Sequence, residues 1–353
     1  MEALLSRFTV SGRPAHIQPY GNGHIHRTYL VICEDGRRYF LQKINTAVFT
    51  DPEALMQNIR LVTAHLSARC ESARESLRLV PARDGAFYAR LESGCWRVYE
   101  AVPDSLCLER AETPRQFAES AAAFGRFVRR LSDFDPSLLA ETIPHFHDTP
   151  GRLSALKAAV RADCMDRVKT ALPEIEAAFA REDFAGLFSG LQARGELPLR
   201  VTHNDTKINN VLFDQASLAG LCVIDLDTVM PGLIMNDFGD AIRFGANTAE
   251  EDEPALERVS LDLGLYEAYL RAYLHACGDC LSPLEIELLP AGAKMMTYEC
   301  GVRFLTDYLC GDHYFHVDEP LHNLRRARTQ FRLLADMERQ WDAMRRIAAA
   351  AGN

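Results

Sequence analysis

The chain has 353 residues, of which 48% are hydrophobic and 25% are charged, as in an ordinary folded protein long enough for more than one core. Its 39 basic and 49 acidic side chains give a formal net charge of −10, which disfavours nucleic acid as a partner. No apolar run approaches the roughly 18 residues of a membrane span, and the first residues lack a signal-peptide pattern. We therefore expect a cytoplasmic protein with no membrane partner.

The first hundred residues have the pattern of strands interrupted by one helix. Two β-rich runs, TYLVICEDG and RRYFLQKIN, are separated by Asp35-Gly36, which predicts a hairpin. Pro52 begins a helical pattern with one apolar face. Residues 77–102 are again β-rich, with turn signals at Asp84-Gly85 and Ser93-Gly94. We interpret residues 1–102 as a β-rich nucleotide-binding lobe.

The character of the sequence changes after Pro103, where helical patterns dominate. They cover residues 115–134, 152–182, 255–276, 284–309 and 323–350. A short β-rich segment at 199–230 interrupts them. Residues 103–353 are therefore predicted to form a larger helical lobe, giving an α+β protein of two lobes.

The segment VTHNDTKINNVLFD, residues 201–214, places polar side chains between apolar runs. It is either a polar surface turn or a loop between buried strands that presents its side chains to a ligand. In the β-rich run LCVIDLDTVMPG that follows, alternation predicts Asp225 and Asp227 on one side of a strand, with Leu226 pointing into the core. Two such carboxylates repel unless a cation lies near them, and Asn210 offers a further oxygen that Mg²⁺ accepts.

The spacing of these residues favours the ligand-binding alternative. Protein kinases place a catalytic Asp five residues before a metal-binding Asn, with a second metal-binding Asp downstream. Asp205-x₄-Asn210 followed by Asp225 has that order. His203 is expected to hydrogen-bond within the loop and hold Asp205. Asp237, in NDFGD, is expected to support the loop rather than to bind metal.

These motifs resemble the aminoglycoside phosphotransferase/choline kinase superfamily, although Asn204 stands where that superfamily usually has Gly. Five segments are similar to the N-acetylhexosamine 1-kinases in particular: YGNGHIHRTYLV, LQKINTAVF, HNDTKINNVLFD, VIDLDTVMPGLIMNDFGDAIR and ECGVRFLTDYLCGDHYF. The resemblance implies a protein-kinase-like fold with two lobes. It also implies Mg²⁺- and ATP-dependent phosphorylation of the anomeric hydroxyl of N-acetylglucosamine or N-acetylgalactosamine.

The resemblance also assigns roles to individual residues. Asp205 would be the catalytic base, Asn210 and Asp225 the Mg²⁺ ligands, and Asp227 a support of the metal site. The sugar would meet His24, Asp205, Arg303 and Tyr314. ATP would meet Lys43 and the backbone of Tyr99, Glu100 and Val102.

Several alternatives stay open at this point. Gln42 could replace Lys43 in facing ATP, because neighbouring residues of a strand point to opposite faces. His26 could replace His24, and Glu299 with Arg303 could be a plain helix salt bridge. The acceptor could be another small alcohol, and a metal-dependent hydrolase built on His203, Asp205, Asp225 and Asp227 is a less favoured class. The oligomeric state cannot be read from the sequence.

Overall fold

The N-terminal part of the protein is a twisted antiparallel sheet. The computed structural model describes residues 1–21 and 25–352. The strands of this sheet are β1 (Pro14–Pro19), β2 (Arg27–Cys33), β3 (Arg38–Lys43), β4 (Ala89–Leu91) and β5 (Gly94–Glu100). They are arranged in the order β1-β2-β3-β5-β4. The predicted hairpin is confirmed: β2 pairs with β3, and Gly36 adopts φ +83° in the turn between them.

Two helices cover opposite faces of the sheet. Helix α1 (Glu2–Leu5) packs on the face that carries Leu41 and Val98. Helix α2 (Pro52–Ser67) begins where predicted, with Asp51 accepting hydrogen bonds from the first free N–H groups, and packs on the other face. That second face is the one that meets the helical part of the chain.

The C-terminal part is mostly helical. Its helices are α3 (Pro114–Arg130), α4 (Thr149–Ala162), α5 (Leu172–Phe179), α6 (Glu182–Ala185), α7 (Leu187–Ala193), α8 (Ile234–Gly245), α9 (Leu263–Cys277), α10 (Pro283–Cys310), α11 (His322–Arg339) and α12 (Trp341–Ala351). The helical pattern predicted over 152–182 is broken in the structure, because Asp163 takes the left-handed conformation and ends α4.

Short strands at 199–230 form the platform for the polar loop, as predicted. They are β7 (Arg200–Thr202), β8 (Val211–Asp214), β9 (Gly220–Val223) and β10 (Met230–Gly232), and β6 (Ser105–Cys107) joins them. Strand β6 pairs with β8, β8 with β9, and β7 with β10. Strand β5 ends at Glu100 and β6 begins at Ser105, so the chain crosses between the two lobes in the few residues between them. The domain boundary at residue 102 stays a prediction.

One local prediction is wrong. Strand β9 ends at Val223, and Asp225 has φ +57° and ψ +58°, followed by a 3₁₀ turn at Leu226–Thr228. The two carboxylates therefore lie on a tight turn and not along a strand. Leu226 is buried, as expected. Within residues 1–21 and 25–352, no helix is long and apolar enough to cross a membrane.

Candidate active site

Asp237 on α8 holds the polar loop after β7 through hydrogen bonds to its backbone. The Asp237 carboxylate accepts hydrogen bonds from the backbone N–H groups of His203 and Asn204, both at 2.7 Å. Asn204 adopts φ +65°, a left-handed conformation that Asn tolerates better than most residues. This conformation accounts for Asn where the superfamily usually has Gly. Asp237 thus supports the loop, as the sequence predicted.

His203 is fully buried and fixes the loop by both ring nitrogens. Its Nε2 donates to the carbonyl of Ile224, 2.8 Å away, while its Nδ1 accepts from the backbone N–H of Asp205 at 3.3 Å. The ring also lies edge-on to Phe124 and Phe127. His203 therefore connects the start of the loop to the segment that carries Asp225.

The Asp205 carboxylate lies between an amide and an ammonium group. Asn210 Nδ2 donates to Asp205 Oδ2 at 3.1 Å, and Lys207 Nζ lies 3.2 Å from Asp205 Oδ1. Asp205 stays accessible, with 31% of its side chain exposed. The negative charge of Asp205 raises the pKa of Lys207 above its ordinary value. The loop thus presents a carboxylate and a permanent cation side by side.

Asp225 and Asp227 occupy different environments although one residue separates them. Asp225 is open to solvent, whereas Asp227 is buried against Arg97 and His26. Although part of the Asp225 residue is exposed, the protein packed around its carboxyl group raises the pKa of Asp225, and the negative charges of Asp227 and Asp205 raise it further. Burial would also raise the pKa of Asp227, but Arg97 outweighs burial and lowers it. Asp225 is therefore the more exposed carboxylate, and the negative charges of Asp227 and Asp205 beside it favour an added cation.

The donor set offered by the loop of Asn210 and the turn of Asp225 suits a hard divalent cation. Asn210 uses its Nδ2 on Asp205, so its Oδ1 is the atom that remains for a metal. Asp225 supplies a carboxylate with like-charged neighbours. Across the described ranges, no group of three or more His, Cys, Asp or Glu side chains converges on a ready-made metal site. A metal here would thus need phosphate oxygens from a substrate to complete its coordination.

The strand register corrects the prediction for Lys43. Gln42 pairs with Arg97 and lies on the sheet face toward Asp227, accepting a hydrogen bond from Arg97 Nε at 3.0 Å. Lys43 points to the opposite face, with Nζ 6.0 Å from the centre of the Trp96 ring. The side chain of Lys43 therefore does not join the carboxylate cluster.

The other residues proposed for ATP lie at the crossing between the lobes. Tyr99 is buried near the end of β5, and the guanidinium of Arg97 lies 5.1 Å from the centre of its ring. The Glu100 N–H donates to the carbonyl of Arg78 at 2.9 Å. The Val102 carbonyl accepts from the Ser105 hydroxyl at 2.8 Å. Their contact with a nucleotide stays a prediction.

Arg303 lies on α10 in an aromatic setting. Its guanidinium is 5.5 Å from the Phe146 ring, 5.6 Å from the Tyr314 ring and 5.5 Å from the Phe315 ring. Tyr314 is 66% exposed, and its hydroxyl lies 3.4 Å from Arg303 Nη2. The structure therefore brings Arg303 and Tyr314 together. His24 lies outside the described residues.

A buried pair, Glu299 and His147, lies between the Arg303 region and the polar loop. The simple salt bridge between Glu299 and Arg303 is not formed; instead Glu299 accepts from His147 Nδ1 at 3.0 Å and from the Thr149 hydroxyl at 2.6 Å. His147 Nε2 donates to the Asn204 carbonyl at 3.3 Å. Both ring nitrogens thus face acceptors, which is the pattern of a protonated imidazole. Burial alone would lower the pKa of His147, but the negative charge of Glu299 outweighs burial, and the pKa of His147 is raised.

Sequence reasoning missed several residues of this region. Lys207 follows Asp205 by two residues within the recognised motif and could have been found there. The sequence offers His26 only as an alternative to His24 for the sugar, and not as a partner of Asp227. Arg97 and His147 carry no sequence signal, because their partners Asp227 and Glu299 are more than a hundred residues away along the chain.

The fold and this cluster define a kinase-like phosphotransferase: an antiparallel N-terminal sheet, a helical lobe, and an Asp–Asn–Asp set at the junction. The chain belongs to the phosphotransferase enzyme family known as APH, whose family profile matches residues 16–284.

Solved structures share this architecture over nearly the whole chain. A microcompartment-associated aminopropanol kinase has a TM-score of 0.61 at 16% identity, covering 98% of this chain and 97% of its own. An aminoglycoside phosphotransferase from Alicyclobacillus acidocaldarius subsp. acidocaldarius has a TM-score of 0.65 at 14% identity, covering 97% of this chain and 96% of its own. An ethanolamine kinase from Plasmodium vivax has a TM-score of 0.53 at 13% identity, covering 89% of this chain and 82% of its own. At these identities the similarity shows the common fold alone.

Proposed function

We propose that this phosphotransferase uses ATP and Mg²⁺ to phosphorylate the anomeric hydroxyl of an N-acetylhexosamine, N-acetylglucosamine or N-acetylgalactosamine. The observation that carries the phosphotransfer is that the loop of Asp205 and Asn210 lies against the turn of Asp225. The Ile224 N–H donates to the Asn210 carbonyl at 2.9 Å, and Lys207 lies beside Asp205. The choice of sugar is supported by the five segments that resemble N-acetylhexosamine 1-kinases.

The chain's own groups supply the acid–base and positioning parts of the reaction. Asp205, fixed by His203 and Asn210, accepts the proton of the sugar hydroxyl as that oxygen bonds to the γ-phosphorus and the bond to the ADP oxygen breaks. Lys207 neutralises charge on the transferred group once nucleotide draws it from Asp205. Bound Mg²⁺, held by Asn210 Oδ1 and Asp225, would neutralise the phosphate oxygens.

The acceptor side favours a neutral hydroxyl compound over an amine. Arg303 is surrounded by Phe146, Tyr314 and Phe315. Arg152 lies near Arg303. Burial lowers the pKa of Arg152, and the positive charge of Arg303 lowers it further. Two guanidinium groups repel an ammonium group, whereas they donate well to sugar hydroxyl and acetamido oxygens. Aromatic side chains add a surface on which a sugar ring can stack.

ADP release with Mg²⁺–ATP tests this proposal against a panel of acceptors. The panel contains N-acetylglucosamine, N-acetylgalactosamine, ethanolamine, aminopropanol and kanamycin, with Asp205→Asn as the inactive control. We expect ADP release that depends on an N-acetylhexosamine and is absent in the control. Release driven by an amine acceptor and not by the sugars would overturn the sugar assignment. Release of phosphate without any acceptor would favour a hydrolase.

A further inference from the structure

Arg97 is a fully buried cation of the N-terminal sheet, and its side chain ends in the C-terminal lobe. It lies on β5 and is 1% exposed. Its Nη2 donates to Asp227 Oδ2 at 2.6 Å, and its Nη1 donates to Asp227 Oδ1, which makes the pair bidentate. Its Nε donates to Gln42 Oε1 on β3 at 3.0 Å. One side chain thus joins two strands of the sheet to the turn that carries Asp225.

Asp227 receives further donors from both lobes. His26 Nδ1 accepts from the Asn45 N–H at 3.0 Å, so its Nε2 carries the proton and donates to Asp227 Oδ2, also at 3.0 Å. The Asp227 carbonyl accepts from the Thr142 hydroxyl at 2.9 Å. The position of Asp227 is therefore set mainly by the N-terminal sheet, although it belongs to the helical lobe.

Only Leu226 separates this anchored carboxylate from Asp225. Leu226 is 1% exposed and packs in the main core, so the short turn has little freedom at its centre. Asp225 holds a left-handed conformation, which a non-glycine residue keeps only where its surroundings impose it. Holding Asp227 thus holds the backbone from which the Asp225 side chain extends.

We propose that Arg97 is a positioning residue that places Asp225 for the metal–nucleotide complex through Asp227, and that this pair couples the two lobes at the site. The proposal rests on the proposed function in one respect, which is that the site binds a nucleotide with a divalent cation. Arg97 also cancels the charge of Asp227, so that Asp225 and Asp205 are left as the carboxylates that attract the cation. Without it, a second uncompensated carboxylate would lie beside Asp225.

The test measures binding of a fluorescent ATP analogue to the full-length chain over a range of Mg²⁺ concentrations, without any acceptor. The variants are R97M, R97K, D227N and the double variant R97M/D227N. The matched control is R181M, because Arg181 forms a bidentate pair with Glu338 at 2.9 and 2.7 Å away from the site. Melting temperatures are recorded for all of them.

We expect R97M to raise the Mg²⁺ concentration for half-maximal nucleotide binding by about 10- to 100-fold, the usual range for groups that orient a metal ligand. R97K should recover part of this loss, since it restores charge without the bidentate geometry. R181M should leave nucleotide binding within about twofold of wild type whatever its melting temperature. In the D227N background, R97M should add little, because both act on one contact.

Two results overturn the proposal. A folded R97M protein with wild-type Mg²⁺ dependence would show that Arg97 serves stability alone, and effects of R97M and D227N that multiply would show that Arg97 does not act through Asp227. If R97M does not fold, R97K and D227N decide in the same way. A wild-type protein that binds no nucleotide with Mg²⁺ would overturn the proposed function as well, which distinguishes the two failures.

Discussion

His203 Nε2 donates to the carbonyl of Ile224 across 2.8 Å, and this hydrogen bond ties the loop of Asp205 to the turn of Asp225. His203 Nδ1 meanwhile accepts from the backbone of Asp205. The base and the metal-facing carboxylate are thus fixed relative to each other by one buried ring. Phosphoryl transfer depends mostly on such positioning and on charge neutralisation.

Replacing Asp205 with Asn should remove the proton acceptor and leave the loop in place. Asn can keep the hydrogen bond to Asn210 but cannot take a proton from a hydroxyl group. We expect kcat to fall about 10²- to 10⁴-fold, with nucleotide affinity changed by no more than about twofold. Steady-state ADP release and nucleotide titration measure the two quantities. Near-normal turnover in the variant would remove Asp205 from the role of base.

Asp225→Ala should change the metal dependence of the reaction. Loss of the open carboxylate should raise the half-saturating Mg²⁺ concentration by about tenfold or more. Asp163→Ala is a matched control, since Asp163 also holds a left-handed conformation, with φ +40°, at the end of α4. Both variants place Ala at a left-handed position, and D163A also removes two hydrogen bonds that Asp163 accepts from the Arg167 and Val168 N–H groups. Melting temperatures are therefore recorded beside the Mg²⁺ curves. Equal Mg²⁺ curves for D225A and D163A would contradict the assignment.

The loop that carries Tyr314 depends on Asp307. This buried carboxylate accepts from the backbone N–H groups of His313, Tyr314 and Phe315, each at 2.9 Å. D307N weakens this set and should raise the KM for the acceptor about tenfold while leaving the KM for ATP unchanged. D336N, another buried carboxylate that accepts a backbone N–H, is the control. A rise in both KM values would mean that Asp307 acts on the whole lobe.

Stability should depend on pH through His147 and Glu299. The folded pKa of His147 is raised above its ordinary value of 6.5. Its charged contacts therefore contribute fully below that value, and the contribution is lost as pH rises through the folded pKa. The pKa of Glu299 is lowered, because His147 and Arg303 outweigh burial, so Glu299 stays ionised in that range.

The measurement compares the free energy of unfolding of wild type and E299Q from about pH 6 to about pH 9. We expect an advantage of about 1.5–3 kcal/mol for wild type at the lower end, the usual contribution of a charged hydrogen bond. That advantage should shrink toward the upper end. A difference that does not change with pH would show that His147 is not protonated in the folded protein.

The sequence predicts local patterns better than distant pairings. The hairpin at Asp35-Gly36, the start of α2 at Pro52 and the supporting role of Asp237 follow from turn chemistry, capping and motif context, and the structure confirms them. The prediction of a strand through Asp225 is wrong, because the alternation of apolar and polar residues does not reveal a residue in the left-handed conformation. Gln42 and Lys43 needed the register with β5 to be told apart. Arg97 and Asp227 are 130 residues apart, and packing of the sheet against the helical lobe brings them together.

The position of the transferred phosphate on the product tests the proposed reaction most directly. Phosphorus NMR of the products would be recorded after incubation of the protein and Mg²⁺–ATP with free N-acetylglucosamine, free N-acetylgalactosamine and their methyl glycosides, in which the anomeric oxygen is blocked. We expect a sugar 1-phosphate from at least one free sugar and no phosphorylation of the methyl glycosides. Equal phosphorylation of a methyl glycoside, or transfer to another hydroxyl group, would contradict the proposed reaction.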